Sequence, residues 1–270
     1  MTSTVLITGA SQGSGKATAL LFAQKGYNVI LAAREPERLE AVAEEVLSLG
    51  VSTLAIPTDV TDIEQVRYLV EKALDYYETL DVLVNNAGIC LTASVEHTTL
   101  EDWHLLMNTN FFGYVNLIHA LLPHFLAQKQ GTIVNVGSFG GKIPFPQMAA
   151  YCASKYAVVG LTESLRLEVQ KKGIQVCAVH PGIINSNFME RAQFRGENEL
   201  EVEQLRQRLD SALASTWVSQ PEDIAQAIWN AVEKKQNEVI VGSAVLATET
   251  YRLFPGLMEW VLNQSSVMNT

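Results

Sequence analysis

Residues 4–25 read TVLITGASQGSGKATALLFAQK. The opening aliphatic and β-branched run suits a buried strand, and the spacing of Ala, Leu and Phe after Gly15 suits one face of a helix. Between them stand Gly9, Gly13 and Gly15. Glycines at such a turn permit positive φ and a close approach of backbone. The first N–H groups of the helix can then face an anion such as a pyrophosphate, helped by the helix dipole. The spacing is GxxxGxG rather than GxGxxG, and a structural turn without a ligand is the plainer alternative.

The same alternation runs along the chain. Short apolar runs (VLITG, NVILAA, STLAIP, DVLVNNAG, GTIVNVGS, IQVCAVHPG and EVIVGS) are separated by stretches of helical period at 13–25, 37–49, 63–77, 100–128, 151–171 and 222–234. Continuous apolar strands alternating with helices predict a doubly wound, Rossmann-type α/β fold. Its mostly parallel sheet has seven strands, with helices on both faces. The 270 residues contain no internal repeat or linker, so one dinucleotide-binding catalytic domain over 1–270 is expected. Residues 187–220 break the alternation with a charged, partly helical insertion where such sheets carry substrate-covering loops; a solvated excursion is the alternative. Residues 244–270 form a C-terminal extension.

Composition narrows the function classes. A net charge of −10 argues against a nucleic-acid partner, which needs clustered cations. Cys90, Cys152 and Cys177 have no ligand-like spacing, so no metal is expected, and their sparse, odd number suits a reducing compartment. The start of the chain lacks a signal-peptide pattern, and polar residues or prolines interrupt the longer apolar stretches. A cytoplasmic protein without a transmembrane segment is therefore expected.

The second strand ends in LAAREPERL. An acidic residue there would accept a ribose 2′-hydroxyl, whereas a cation suits a 2′-phosphate. Ala33 and Arg34 thus favour NADP(H) over NAD(H), unless Arg34 merely opens a loop; Gln12 in the glycine turn adds no second charge. Two Tyr/Lys pairs have helical i,i+4 spacing, Tyr68 with Lys72 and Tyr151 with Lys155. Spacing alone does not separate them.

With TGASQGSG, NNAG at 85–88, NVGS ending at Ser138 and YCASK at 151–155, the chain resembles the classical short-chain dehydrogenase/reductase family over about residues 4–242. The ordered set of motifs is far more specific than any one of them. The resemblance selects Tyr151 and Lys155, which follow the strand-end Ser138, and leaves Tyr68 and Lys72 as a surface or packing coincidence. It implies that Tyr151 is the general acid in carbonyl reduction and that Ser138 holds the substrate oxygen. Lys155 would hold the nicotinamide ribose and, with the oxidised cofactor, lower the phenol pKa. Asn110 would fix a water leading to Lys155, although a helix-bending role is open and Asn108 lies nearby. Gly9, Ser11, Gln12, Gly13, Ser14, Gly15, Arg34, Asp59, Val60, Asn86, Ala87, Gly88, Tyr151, Lys155, Pro181, Gly182, Ile184 and Ser186 would contact the cofactor. Ser14 departs from the family's usual Ile, a change expected to loosen cofactor affinity.

Cys90, Leu91, Phe139, Ile143, Phe145, Met148, Phe188 and Met189 are candidates for an apolar substrate pocket, with core packing the alternative. The expected function is NADP(H)-dependent reduction of a carbonyl, or oxidation of a secondary alcohol, on a lipophilic small molecule. A non-catalytic dinucleotide-binding regulator, or an epimerase or dehydratase with a bound nicotinamide, is the alternative. Family resemblance further implies a homodimer or homotetramer. The tail segment YRLFPGLMEWVL could cover the pocket, dock on a subunit or, least favoured, lie on a membrane.

Overall fold

A computed structural model describes residues 2–77, 79–184, 192–213, 218–242 and 244–267. The amino-terminal half runs β1 (Thr4–Thr8), α1 (Gly13–Gln24), β2 (Asn28–Ala33), α2 (Pro36–Ser48), β3 (Thr53–Pro57), α3 (Ile63–Tyr77), β4 (Val82–Asn85) and β5 (Leu91–Thr92). There follow α4 (Leu100–Met107), α5 (Gly113–Gln128), β6 (Gly131–Val136), α6 (Ala149–Val169) and β7 (Ile174–His180). The chain continues with β8 (Gln193–Phe194), α7 (Glu199–Leu213), α8 (Pro221–Glu233), β9 (Glu238–Ile240), α9 (Ala244–Leu253) and α10 (Pro255–Val267).

Seven strands form a parallel sheet in the order β3-β2-β1-β4-β6-β7-β9. Alternation along β1 divides the core. Val5 and Ile7 face a cluster that includes Phe22 of α1, Val42 of α2 and Ile228 of α8. Leu6 faces the opposite cluster, with Leu69 of α3, Leu117 of α5 and Leu165 of α6. Both faces are covered, which is why the strands read as unbroken apolar runs. Strand order reverses between β1 and β4, so a crevice opens beyond their carboxyl ends.

The expected helical stretch at 100–128 is continuous but changes its winding midway. Between α4 and α5, Asn108–Phe112 form a π-helical turn, a distortion often used to re-aim groups at functional sites. A separate pair of two-residue parallel strands joins β5 to β8, a feature that the charged composition of the insertion conceals. The insertion's ends are also tied, since Ser219 N–H donates to Ile183 O at 3.0 Å. Among the described residues, no helix is long and apolar enough to cross a membrane. Leu246, Leu253, Phe254, Leu257 and Trp260 of the last two helices and their connection are exposed.

Candidate active site

The glycine turn is held from below. Gly9 has φ +65°, the left-handed region that glycine adopts cheaply. A side chain on Gly15 would meet Gly9 O at 2.2 Å and Asn86 Nδ2 at 2.6 Å. Asn86 Nδ2 donates to Thr8 O at 3.0 Å, and the Thr8 hydroxyl accepts from the N–H groups of Asn86 and Ala87 at 3.0 and 3.1 Å. The Ser14 hydroxyl donates to Asn86 Oδ1 at 2.9 Å. Ser14, whose departure from Ile is expected to loosen cofactor affinity, therefore also adds a tie between α1 and the loop after β4.

Gly9, Ser11, Arg34, Asp59, Val60, Ala87 and Gly88 border one groove, with Ala33 at its β2 wall. The Asp59 carboxylate accepts from Thr61 N–H at 2.9 Å and its hydroxyl at 2.8 Å, fixing the loop after β3. Arg38 is a cation that the linear motif did not reveal. Its Nη1 donates to Gln12 Oε1 at 2.8 Å, while Nε stands 3.0 Å from Glu35 Oε2. One helical turn beyond Arg34, α2 thus brings a second positive charge to the glycine turn.

Gly88 also borders a neighbouring cavity of about 210 Å³. Ser14, Asn86, Ser138, Tyr151, Lys155, Pro181, Gly182 and Ile184 meet there with Cys90, Phe139, Phe145 and Met148. Leu91 and Ile143 are buried in the packing instead. Phe139 and Phe145 pack at a tilt with ring centroids 4.9 Å apart, giving this end an apolar wall. Phe139 N–H donates to Pro181 O at 2.7 Å and joins the Ser138 loop to the segment after β7. Ser186, Phe188 and Met189 lie outside the described residues.

Ser138 ends the extended segment after β6, and its Oγ accepts from Gly140 N–H at 3.0 Å. Burial drives the Tyr151 phenol above its ordinary range, while the Ser138 hydrogen bond pulls it back. This direction is opposite to that expected from Lys155 alone, because desolvation outweighs every nearby polar group. Lys155 Nζ donates instead to Val136 O at 3.1 Å and lies 5.6 Å from the Tyr114 ring centroid. Burial lowers its pKa from 10.5 to about 8, and Cys90 opposes the change. Cys90 itself is pushed up to about 12, chiefly by burial, and is a neutral packing group near neutral pH.

Asn110 occupies the π turn with no exposed surface, whereas Asn108 is exposed. The Asn110 side chain accepts from Ile89 N–H at 2.8 Å and donates to Ile89 O at 3.0 Å. It also donates to Ser154 Oγ at 3.0 Å, and Ser154 donates to Tyr151 O at 2.7 Å. One amide thereby connects the loop after β4 to the helix carrying Tyr151 and Lys155. Ser154 and Tyr114, whose hydroxyl donates to Val136 O at 2.9 Å, were not evident as site residues. Their sequence signal is only a small polar or aromatic side chain one helical step from a motif residue. Tyr68, by contrast, is 54% exposed on α3, with Lys72 over its ring. Among the described residues, no group of three or more His, Cys, Asp or Glu side chains could hold a metal ion.

A family model described as short chain dehydrogenase matches residues 3–197. The 3-oxoacyl-(acyl-carrier-protein) reductase FabG of Staphylococcus aureus is 39% identical over 189 residues, 70% of this chain and 77% of that one. A short-chain dehydrogenase/reductase from Burkholderia phymatum, solved with NAD, superposes with a TM-score of 0.84 at 26% identity, covering 93% and 95% of the two chains. One from Sphingobium yanoikuyae, solved with NADPH, has a TM-score of 0.75 at 29% identity, covering 88% and 87%.

Proposed function

The chain belongs to the short-chain dehydrogenase/reductase family, and on that footing we propose that it is an NADP(H)-dependent reductase of a carbonyl on a lipophilic small molecule. The reverse reaction is oxidation of the corresponding secondary alcohol. The observation that carries this reading is the meeting of Ser138, Tyr151 and Lys155 in one largely apolar cavity beside the glycine turn.

The turn fits a dinucleotide on its own chemistry. The first turn of α1 holds no acidic residue to repel a phosphate, and the buried Gln12 Nε2 has no hydrogen-bond partner among the described residues. Gly9, Ser11, Gln12, Gly13, Ser14 and Gly15 would hold the pyrophosphate side, and Asp59 with Val60 the adenine. Asn86, Ala87, Gly88, Pro181, Gly182 and Ile184 would line the remainder. Ala33 in place of an acid, together with Arg34 and Arg38, supports the 2′-phosphate and hence NADP(H).

When bound, the nicotinamide supplies the hydride in reduction. Ser138 would donate its hydroxyl proton to the substrate oxygen and stabilise the negative charge that grows there. The Tyr151 hydroxyl transfers its proton to that oxygen, completing the alcohol. Lys155, cationic at neutral pH, favours the phenolate left behind and would hold the nicotinamide ribose. Asn110 keeps the loop after β4 and α6 in register and would support a water that resupplies the proton. The insertion at 187–220, of which 192–213 and 218–220 are described, would cover the apolar end, and the relative named as a 3-oxoacyl-(acyl-carrier-protein) reductase supports a lipophilic substrate.

The experiment is a panel of short and long ketones with NADPH and with NADH, followed by nicotinamide absorbance. NADPH consumption matched by alcohol formation is expected. Tight NADPH binding with no turnover on any ketone or alcohol would replace this reading with that of a cofactor-sensing regulator.

A further inference from the structure

Among the described residues of the insertion, β8 folds against residues 90–106. In the two-stranded sheet, Gln193 N–H donates to Cys90 O at 2.9 Å and Arg195 N–H to Thr92 O at 3.1 Å. Ala192 and Phe194 pack in the same apolar cluster as Cys90, Leu91, Tyr151 and Cys152. This short sheet therefore backs the residues that border the reaction cavity.

Two strands of two residues each have little stability of their own. Their tether is charged. Arg195 Nη2 lies 3.0 Å from Asp102 Oδ1 and donates to Gln193 Oε1 at 3.0 Å, while Nη1 donates to Phe194 O at 3.2 Å. Asp102 is only 5% exposed, so its carboxylate is desolvated and depends on its partners. It is itself fixed, because Asp102 and Thr99 form the reciprocal cap that starts α4. Arg206 adds a cation 5.3 Å from the Phe194 ring centroid, and Leu205 of α7 is buried.

We propose that Arg195 and Asp102 form a latch that holds Ala192 and Phe194 against the cavity-lining Cys90, Phe145, Met148 and Tyr151, fixing the apolar end of the substrate site so that it selects carbonyls carried on long apolar chains. Arg195 is a positioning residue and touches no reacting atom. Its charge is neutralised by Asp102 at the margin of the apolar cluster, so β8 can pack its apolar residues behind the cavity lining. The substrate preference rests on the reductase reading, whereas the latch itself rests on the geometry alone.

The test uses the full chain with Arg195→Gln and, separately, Asp102→Asn, which keeps an oxygen able to accept the Thr99 N–H. Hydrogen exchange of the Gln193 and Arg195 amides should quicken about tenfold in each variant, while the β1 and β2 amides hold their rates. With 2-decanone and 2-butanone as probes, the ratio of their KM values should move about tenfold against the longer ketone, with NADPH affinity retained. Unchanged exchange at both amides would overturn the latch. A common rise in KM for both ketones would overturn its role in chain-length selection. If the unmodified protein reduces neither ketone, the substrate role fails with the reductase reading, and the exchange rates still decide the latch.

Discussion

Lys155 should be stabilising to remove. The ammonium is 4% exposed, and burial lowers its pKa from the ordinary 10.5 to about 8. That gap corresponds to about 3 kcal/mol of unfavourable charging in the folded chain at neutral pH. Lys155→Met deletes the charge and retains most of the side-chain volume. The variant loses the bond to Val136 O, a loss of about 1 kcal/mol, but that carbonyl keeps the Tyr114 hydroxyl at 2.9 Å. A net gain of about 2 kcal/mol is expected at pH 7, or roughly 4–8 °C in Tm for a protein of this size. The sign follows from proton uptake. Below pH 8 both folded and unfolded chains carry the charge, and the gain is full. Between about 8 and 10.5 only the unfolded chain is protonated, so the charging part of the gain shrinks with rising pH and vanishes above 10.5, leaving the lost Val136 bond as a net cost of about 1 kcal/mol. Urea and thermal unfolding of the cofactor-free proteins from pH 7 to 10 provide the assay. A variant less stable than the parent at pH 7, or a gain that does not shrink as pH rises, would refute the reasoning.

Other perturbations separate the remaining parts of the site. Arg34→Ala and Arg38→Ala should each raise KM for NADPH about tenfold, the equivalent of one charge-assisted contact, and change KM for NADH far less; equal effects on both cofactors would remove the 2′-phosphate assignment. Asn110→Leu should cost about 3 kcal/mol in urea unfolding, since the Ile89 peptide groups lose their partners, and a loss below about 1 kcal/mol would show that the π turn is held elsewhere. Burial holds His180 below 6.5 despite Glu238, with Lys142 and Lys155 also disfavouring its charge. The unfolded chain therefore protonates first, stability falls as pH drops through 6.5, and His180→Gln should flatten that part of the curve. An unaltered slope between pH 7 and 5 would contradict it.

The parallel sheet was legible because β1, β4, β6 and β7 are buried on both faces and leave unbroken apolar runs. That Ser138 and Tyr151 border one cavity was legible from the order of the family's motifs after β6 and in α6. The phenol's electrostatics were not, because spacing brings Lys155 near Tyr151 in sequence but does not reveal that its ammonium turns to Val136 O. Arg38 escaped notice for a similar reason. Its link to Gln12 joins residues 26 positions apart and depends on the path of α2. The β5–β8 pair lay beyond a periodicity argument, since two residues cannot display a period. Asn110 could be found, but its bonds to Ile89 and Ser154 depend on a π turn whose sequence reads as ordinary helix.

The central claim is that Tyr151 delivers the proton in a cavity built with Ser138 and Lys155. The direct measurement is single-turnover oxidation of bound NADPH by a ketone that the parent reduces, compared between the parent, Tyr151→Phe and Tyr68→Phe, with NADPH binding measured on each by fluorescence. The account predicts a rate lowered at least about a thousandfold in Tyr151→Phe with cofactor affinity largely retained, and a parental rate in the exposed Tyr68→Phe. A Tyr151→Phe protein that binds NADPH and oxidises it at the parental rate would contradict it.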